Sequence, residues 1–219
     1  MNLNEFAKIW VTMHSEGTKL EGIQSISTSV LVNPICQHRR GICGGICSNC
    51  YANALCQMRH SLDNHLVENM EILSTRLLTK AEASAVPITT LYARIESFGD
   101  VRNVIQARNY IRIIRTHKLS RFGIWSKNWY IWYAAFIKEG KPRNCTFVLS
   151  SMFLNVRMEV PERMKPYVDH VFTVWTKDKY EALWRGGNTA CAGIRCLSCL
   201  KCYSKPGKKV PFYIDELKR

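Results

Sequence analysis

Apolar and polar positions along this chain follow two rhythms in turn. "SISTSVLVN" alternates at period two and predicts a first strand ending at Asn33-Pro34. From Asn49 the rhythm turns helical, through "YANALCQMRH" and then "SLDNHLVENMEILSTRLL". In the latter, Leu62, Leu66, Met70, Leu73 and Leu77 recur at steps of three and four, one buried helical face. Ser61, with Asp63 just inside, fits an N-cap for that helix. "AVPITTLYARIESFGD" predicts a second strand, entered by Pro87 and stopped by Gly99-Asp100. The next helix, "VRNVIQARNYIRIIRTHK", sets Val101, Val104, Ala107, Ile111 and Ile114 on one side and Arg108, Arg112 and Arg115 on another. "RFGIWSKN" predicts a third strand and "WYIWYAAFIKEG" a third helix ended by Gly140. "CTFVLSSMFL" and "HVFTVWTKD" complete five strand candidates, and rhythm returns only at "VPFYIDEL".

Strand and helix alternate at the length of βαβ units, which predicts an α/β fold with parallel pairing. Five to six strands are too few for a closed eight-stranded barrel, so a partial (β/α) barrel or an open parallel sheet is expected. Both bind ligands at the C-terminal ends of their strands. Glu96, Ser97, Gly99 and Asp100 follow strand two, Ser126 and Lys127 strand three, and Ser150 and Ser151 strand four. Residues 1–184 read as the α/β core, and 185–219 as a basic, cysteine-rich segment packed on the same domain.

Composition changes this picture in two ways. Net charge is +14, and residues 101–127 carry seven Lys or Arg with no acid. From Arg185 onward eight basic residues face only Asp215 and Glu216. Such asymmetry suits a polyanionic partner, nucleic acid foremost, or a solvated basic face. The opening "MNLNEFAKIWVTMHSEG" lacks the basic and apolar regions of a secretory signal, and no apolar run spans a bilayer, so a cytosolic protein without a membrane partner is expected.

In a reducing cytosol, clustered cysteines hold metal or do chemistry rather than form disulfides. Eight of the ten form two groups: Cys36, Cys43, Cys47, Cys50, and Cys191, Cys196, Cys199, Cys202. Cys56 and Cys145 stand apart and read as small buried hydrophobes. The second group, C-x4-C-x2-C-x2-C, resembles runs that wrap iron–sulfur cubanes, although C-x2-C hooks also suit zinc. The first contains C-x3-C-x2-C, three thiolates that would leave one iron of a 4Fe–4S cluster open. Cys36 could close that site, ligate another cluster, or do neither. Of the histidines only His38, between Cys36 and Cys43, stands where a ligand would. Trp125, Trp129, Tyr130, Trp132 and Tyr133 form an aromatic belt that suits core packing better than base stacking.

Cys43, Cys47 and Cys50, placed after the first strand, resemble the cluster loop of radical S-adenosylmethionine (radical SAM) enzymes. Cys50-Tyr51-Ala52, the segment Ser97 to Asp100, "LSSMFLN" and the closing Cys202-Tyr203 resemble, in that order, the phage-borne gene product eighty-eight domain, a radical-SAM-like group. The resemblance implies a 4Fe–4S cluster on Cys43, Cys47 and Cys50, with its free iron binding S-adenosylmethionine. It implies cofactor contacts from Ser97, Gly99 and Asp100, then from Ser126, Lys127 and Ser150. One or two clusters and an electron donor follow from it, with reductive SAM cleavage as the activity. The alternative is an iron–sulfur protein that transfers electrons or stabilises a nucleic-acid-binding fold. The chain differs from the superfamily in having Asn49 before the third cysteine, "ESFGD" after strand two, and no G-x-I-x-G-x-x-E stretch after strand four.

Overall fold

The computed structural model describes residues 8–183, 191, 195–206 and 212–217. Seven strands form one sheet: β1 (Thr12–Met13), β2 (Gln24–Ile26), β3 (Tyr92–Ile95), β4 (Arg121–Ser126), β5 (Cys145–Ser150), β6 (His170–Trp175) and β7 (Phe212–Leu217). They lie side by side in chain order, β1 antiparallel to β2 and every later pair parallel. The fold is thus α/β with a mostly parallel sheet. Among the described residues the expected five to six strands become seven: the five candidates and "VPFYIDEL" each supply one, and the two-residue β1 is the addition. The expected boundary at 184/185 lies outside the described residues.

Register divides the sheet into two unlike faces. Ile26, Ile95, Ile124 and Phe147 form one row across β2 to β5, and all four are fully buried. Parallel strands advancing in one direction through right-handed crossovers put their helices on one side. There α5 (Val104–Thr116) and α6 (Trp129–Glu139) supply Ile111, Ile114, Trp132 and Phe136 to the main core. Each such side chain contributes roughly 1.5–3 kcal/mol by leaving water. The adjacent row, Ser25, Arg94, Gly123 and Thr146, points to the opposite face and is largely polar.

Local chemistry accounts for most element ends. Asn103 caps α5 by accepting from Gln106 N at 2.9 Å, so Asp100 is not its cap. Gly140, at φ 73°, terminates α6 as expected. Ser61 is not an N-cap: α3 (His60–Thr75) starts one residue earlier, and Asp63 instead accepts from Ser29 Oγ at 2.6 Å. The long strand expected over "SISTSVLVN" stops pairing after Ile26. Asn33 then caps a helix, α1 (Pro34–Arg40), that carries Cys36. Thr79 and Glu82 form a capping box on the short α4 (Lys80–Ser84). Among the described residues no helix is long and apolar enough to cross a membrane.

Candidate functional site

The polar face of the sheet opens into a cavity of about 690 Å³ at the C-terminal ends of the parallel strands. Ser97, Gly99, Asp100, Ser126, Lys127 and Ser150, the six positions expected to contact a cofactor, all line it. Of the eight grouped cysteines, Cys36, Cys47 and Cys50 reach it from one side, and Cys191, Cys196, Cys199 and Cys202 from the other. Cys43 does not line it and is exposed. His38 is also exposed and lies outside the cavity wall.

The first group sits on consecutive short elements. Cys36 is in α1, Cys47 in the 3-10 turn Ile46–Asn49, and Cys50 in the cap position of α2 (Tyr51–Met58). Gly44, at φ 73°, makes the turn between Cys43 and Cys47. Ile46 N donates to Met152 O at 2.9 Å, tying this loop to the segment after β5. Tyr51 OH donates to Ser97 O at 2.6 Å and fixes the start of α2 against the end of β3. Burial, then the neighbouring carboxylates Asp100 and Glu96, pushes the Cys36 thiol well up. Cys56 and Cys145 are buried as expected, and burial pushes both up to about 12.

The second group is held by its own short elements. Cys196 to Cys199 form a short helix, Leu200 turns the chain at φ 52°, and Cys202 follows. Thr146 Oγ1 donates to Cys202 O at 2.6 Å, and Tyr203 packs edge-on against Trp125 and Tyr92 with centroids 5.8 and 5.3 Å away. Cys191 N donates to Asp215 O at 2.7 Å, which fixes Cys191 to β7. Burial, then the nearby thiols of Cys191 and Cys196, pushes Cys202 up to about 12.

The cysteines are the donor type that a thiolate-bound group takes, but Cys43 stands outside the cavity that the other seven line. Among the described residues, no three His, Cys, Asp or Glu side chains are gathered to hold a single metal ion. A tetrahedral zinc ion bound at about 2.3 Å would need its sulfurs roughly 3.8 Å apart.

Several expected cofactor contacts bond to the protein itself. Asp100 accepts from Ser126 Oγ at 2.5 Å, Val101 N at 2.8 Å and Lys127 N at 2.9 Å, and pairs with the buried Arg39 at 3.1 Å. Arg39 also donates to Asn128 Oδ1, so Asp100 latches the ends of β3 and β4 to α1. Ser97 Oγ lies 3.0 Å from Ser25 Oγ and 2.9 Å from Ser27 Oγ, and Ser25 Oγ lies 3.0 Å from His14 Nε2. Burial, then Arg94, draws His14 down to about 4. Glu96, buried at φ 57°, accepts from Tyr110 OH at 2.6 Å and from Thr28 Oγ1 at 2.8 Å. Burial nonetheless pushes its carboxyl up to about 7. A Cβ on Gly99 would stand 2.6 Å from Thr28 O, so only glycine lets this turn lie against Thr28.

Sequence reasoning missed Arg94, Lys19 and Tyr203 on the cavity wall. Arg94 had a visible signal: a charged residue at an alternating position in the middle of "YARI". The arginine stripe of α5 does not present a free row of charges, because Arg108, Arg112 and Arg115 all converge on Glu139 at 2.7, 3.6 and 3.3 Å. The aromatic belt divides: Trp132 is in the main core, whereas Trp125 lies on the opposite, cavity face. Together these features define an α/β protein whose cysteine-lined cavity lies at the C-terminal edge of a parallel sheet. Comparison of the chain with protein-family models, curated proteins and solved structures gives no match.

Proposed function

We propose that this chain is an iron–sulfur protein of the radical SAM type, with a partial-barrel core. In this reading Cys43, Cys47 and Cys50 would hold a 4Fe–4S cluster, and the cavity beside them would receive S-adenosylmethionine. One observation carries it: seven of the eight grouped cysteines, from two groups far apart in sequence, line a single cavity at the C-terminal edge of parallel strands. Bound there, the cluster would supply an electron for reductive cleavage of the SAM sulfonium. The chain's own part is to bind, orient and exclude water. Gly99 permits a close backbone turn, Tyr51 anchors the cysteine loop to β3, and Trp125, Phe172 and Tyr203 form an apolar wall. Cys191, Cys196, Cys199 and Cys202 would hold a second metal centre opposite the first.

Anaerobic purification tests the metal. Brown protein with about four irons per cluster is expected, falling by one cluster's worth in the Cys43, Cys47, Cys50 triple alanine variant. Colourless protein with stoichiometric zinc would overturn the reading. Reduced protein given SAM should then release 5′-deoxyadenosine. One observation favours an iron–sulfur protein without SAM chemistry: Ser97, Ser126 and Asp100 already bond to protein groups. Full iron loading with no 5′-deoxyadenosine would select that second reading.

A further inference from the structure

Cations that line the cavity outnumber carboxylates six to three, and the carboxylates are already engaged. Lys19 pairs with Glu216, Arg39 with Asp100, and Glu96 is held by Thr28, Gln106 and Tyr110. Arg94 has no carboxylate partner among the described residues, and its Nε–H is buried without an acceptor. It is nevertheless held in place. Its guanidinium carbon lies 4.1 Å from the centroid of the Trp125 ring, which in turn packs against Tyr203. Stacking occupies the face of a guanidinium and leaves its in-plane N–H groups free to bond. The buried Nε–H is out of a ligand's reach, so the donors offered to the cavity are the two terminal nitrogens of the guanidinium.

We propose that Arg94 anchors an oxyanion subsite, and that the cavity takes a small molecule bearing a carboxylate or a phosphate. Two oxygens of that group accept from the guanidinium fork, and the rest of the molecule packs along Trp125, Tyr203 and Phe172. Lys127 and Arg40, also without a carboxylate partner among the described residues, add positive potential at the wall. The inference rests on this charge arrangement alone, and an iron-free protein would serve it equally.

The test is calorimetric titration of the purified chain with inorganic pyrophosphate and with malonate, at matched ionic strength in chloride, with iron measured in parallel. Saturable binding of either probe is expected; tighter pyrophosphate binding indicates a phosphate ligand, tighter malonate binding a carboxylate ligand. Arg94→Gln should weaken binding about tenfold or more, and Arg94→Lys, which keeps charge but loses the fork, by a smaller factor. Lys118→Gln, an exposed cation outside the cavity wall, should change it by no more than about twofold. Near-UV circular dichroism establishes that the variants fold; if Arg94→Gln does not, Arg94→Lys carries the comparison. Absence of saturable binding by both probes, or unchanged binding in the folded Arg94 variants, would overturn the subsite whatever the iron content.

Discussion

Arg94 stands directly opposite Gly123 in the parallel β3–β4 pair, and the missing side chain at 123 makes room for the Trp125 ring beneath the guanidinium. A Cβ at position 123 would lie 2.3 Å from Trp125 Cζ3 and 3.1 Å from Tyr203. Gly123→Ala should therefore displace the ring, lower stability by about 1–3 kcal/mol and alter the near-UV tryptophan spectrum. A wild-type spectrum and melting temperature would show that the stack has slack.

Gly99→Ala presents a different obstacle. Its new methyl would meet the Thr28 carbonyl oxygen at 2.6 Å, a backbone atom that cannot rotate away. A loss of about 1–3 kcal/mol is expected in urea unfolding. The turn carrying Ser97 and Asp100 should also move, so thiol reactivity at the adjacent Cys36 should rise.

The Arg39–Asp100 pair joins three elements while almost wholly removed from solvent. Removing one partner leaves an uncompensated buried charge, so Arg39→Gln or Asp100→Asn should each cost about 3–5 kcal/mol. In the double variant that penalty is shared, and its loss should fall short of the sum by at least about 1 kcal/mol. Strict additivity in urea midpoints would show that the two side chains act independently.

Glu96 predicts a pH signature. Burial raises its carboxyl from 4.5 to about 7, so the folded chain holds this proton more tightly than the unfolded one. Its contribution is complete below pH 4.5 and is lost as pH rises through 7, a change on the order of 3 kcal/mol. His14 works in the opposite sense: drawn from 6.5 to about 4, it loses its contribution as pH falls through 4. The Glu96 effect is therefore read as the difference between wild type and Glu96→Gln across pH 4.5–7. Parallel curves for the two proteins would contradict it.

Thiol labelling separates the cysteines by exposure. In metal-free native protein Cys43, which is exposed, should react first, whereas Cys56 and Cys145 should react only after unfolding. Metal loading should protect Cys43. Labelling of Cys43 that is equal with and without bound iron would remove it from the ligand set.

The helix face was legible in sequence because its signals are repetitive. The pattern of Ala107, Ile111 and Ile114 marks the buried side of α5, although Val101 precedes the helix and Val104 is only half-buried, and Gly140 marks the end of α6. Legibility failed where polar side chains replace ladder bonds. Ser27, Thr28 and Ser29 look like a continuing strand, but their hydroxyls bond to Ser97, Glu96 and Asp63 instead. Asn33-Pro34 reads equally as a strand stop and as a helix start, and here it starts the helix that carries Cys36. That cysteines of both groups, all but Cys43, line one cavity depends on sheet order and long-range register, which no local pattern encodes.

The cysteine-bearing segment closes against residues at the other end of the fold. Lys19 pairs with Glu216, Lys19 O accepts from Cys196 N at 2.8 Å, and Arg195 reaches Glu21 at 3.0 Å. Everything this segment covers is synthesised before it. A nascent chain that has passed Trp175 already possesses β2 to β6 and the helix-facing core, yet its cavity lacks a wall and β6 remains an unpaired edge. Such an edge is a template for pairing with another chain; β7 takes over the edge position in the finished sheet, so this segment completes the site and moves the edge outward rather than abolishing it.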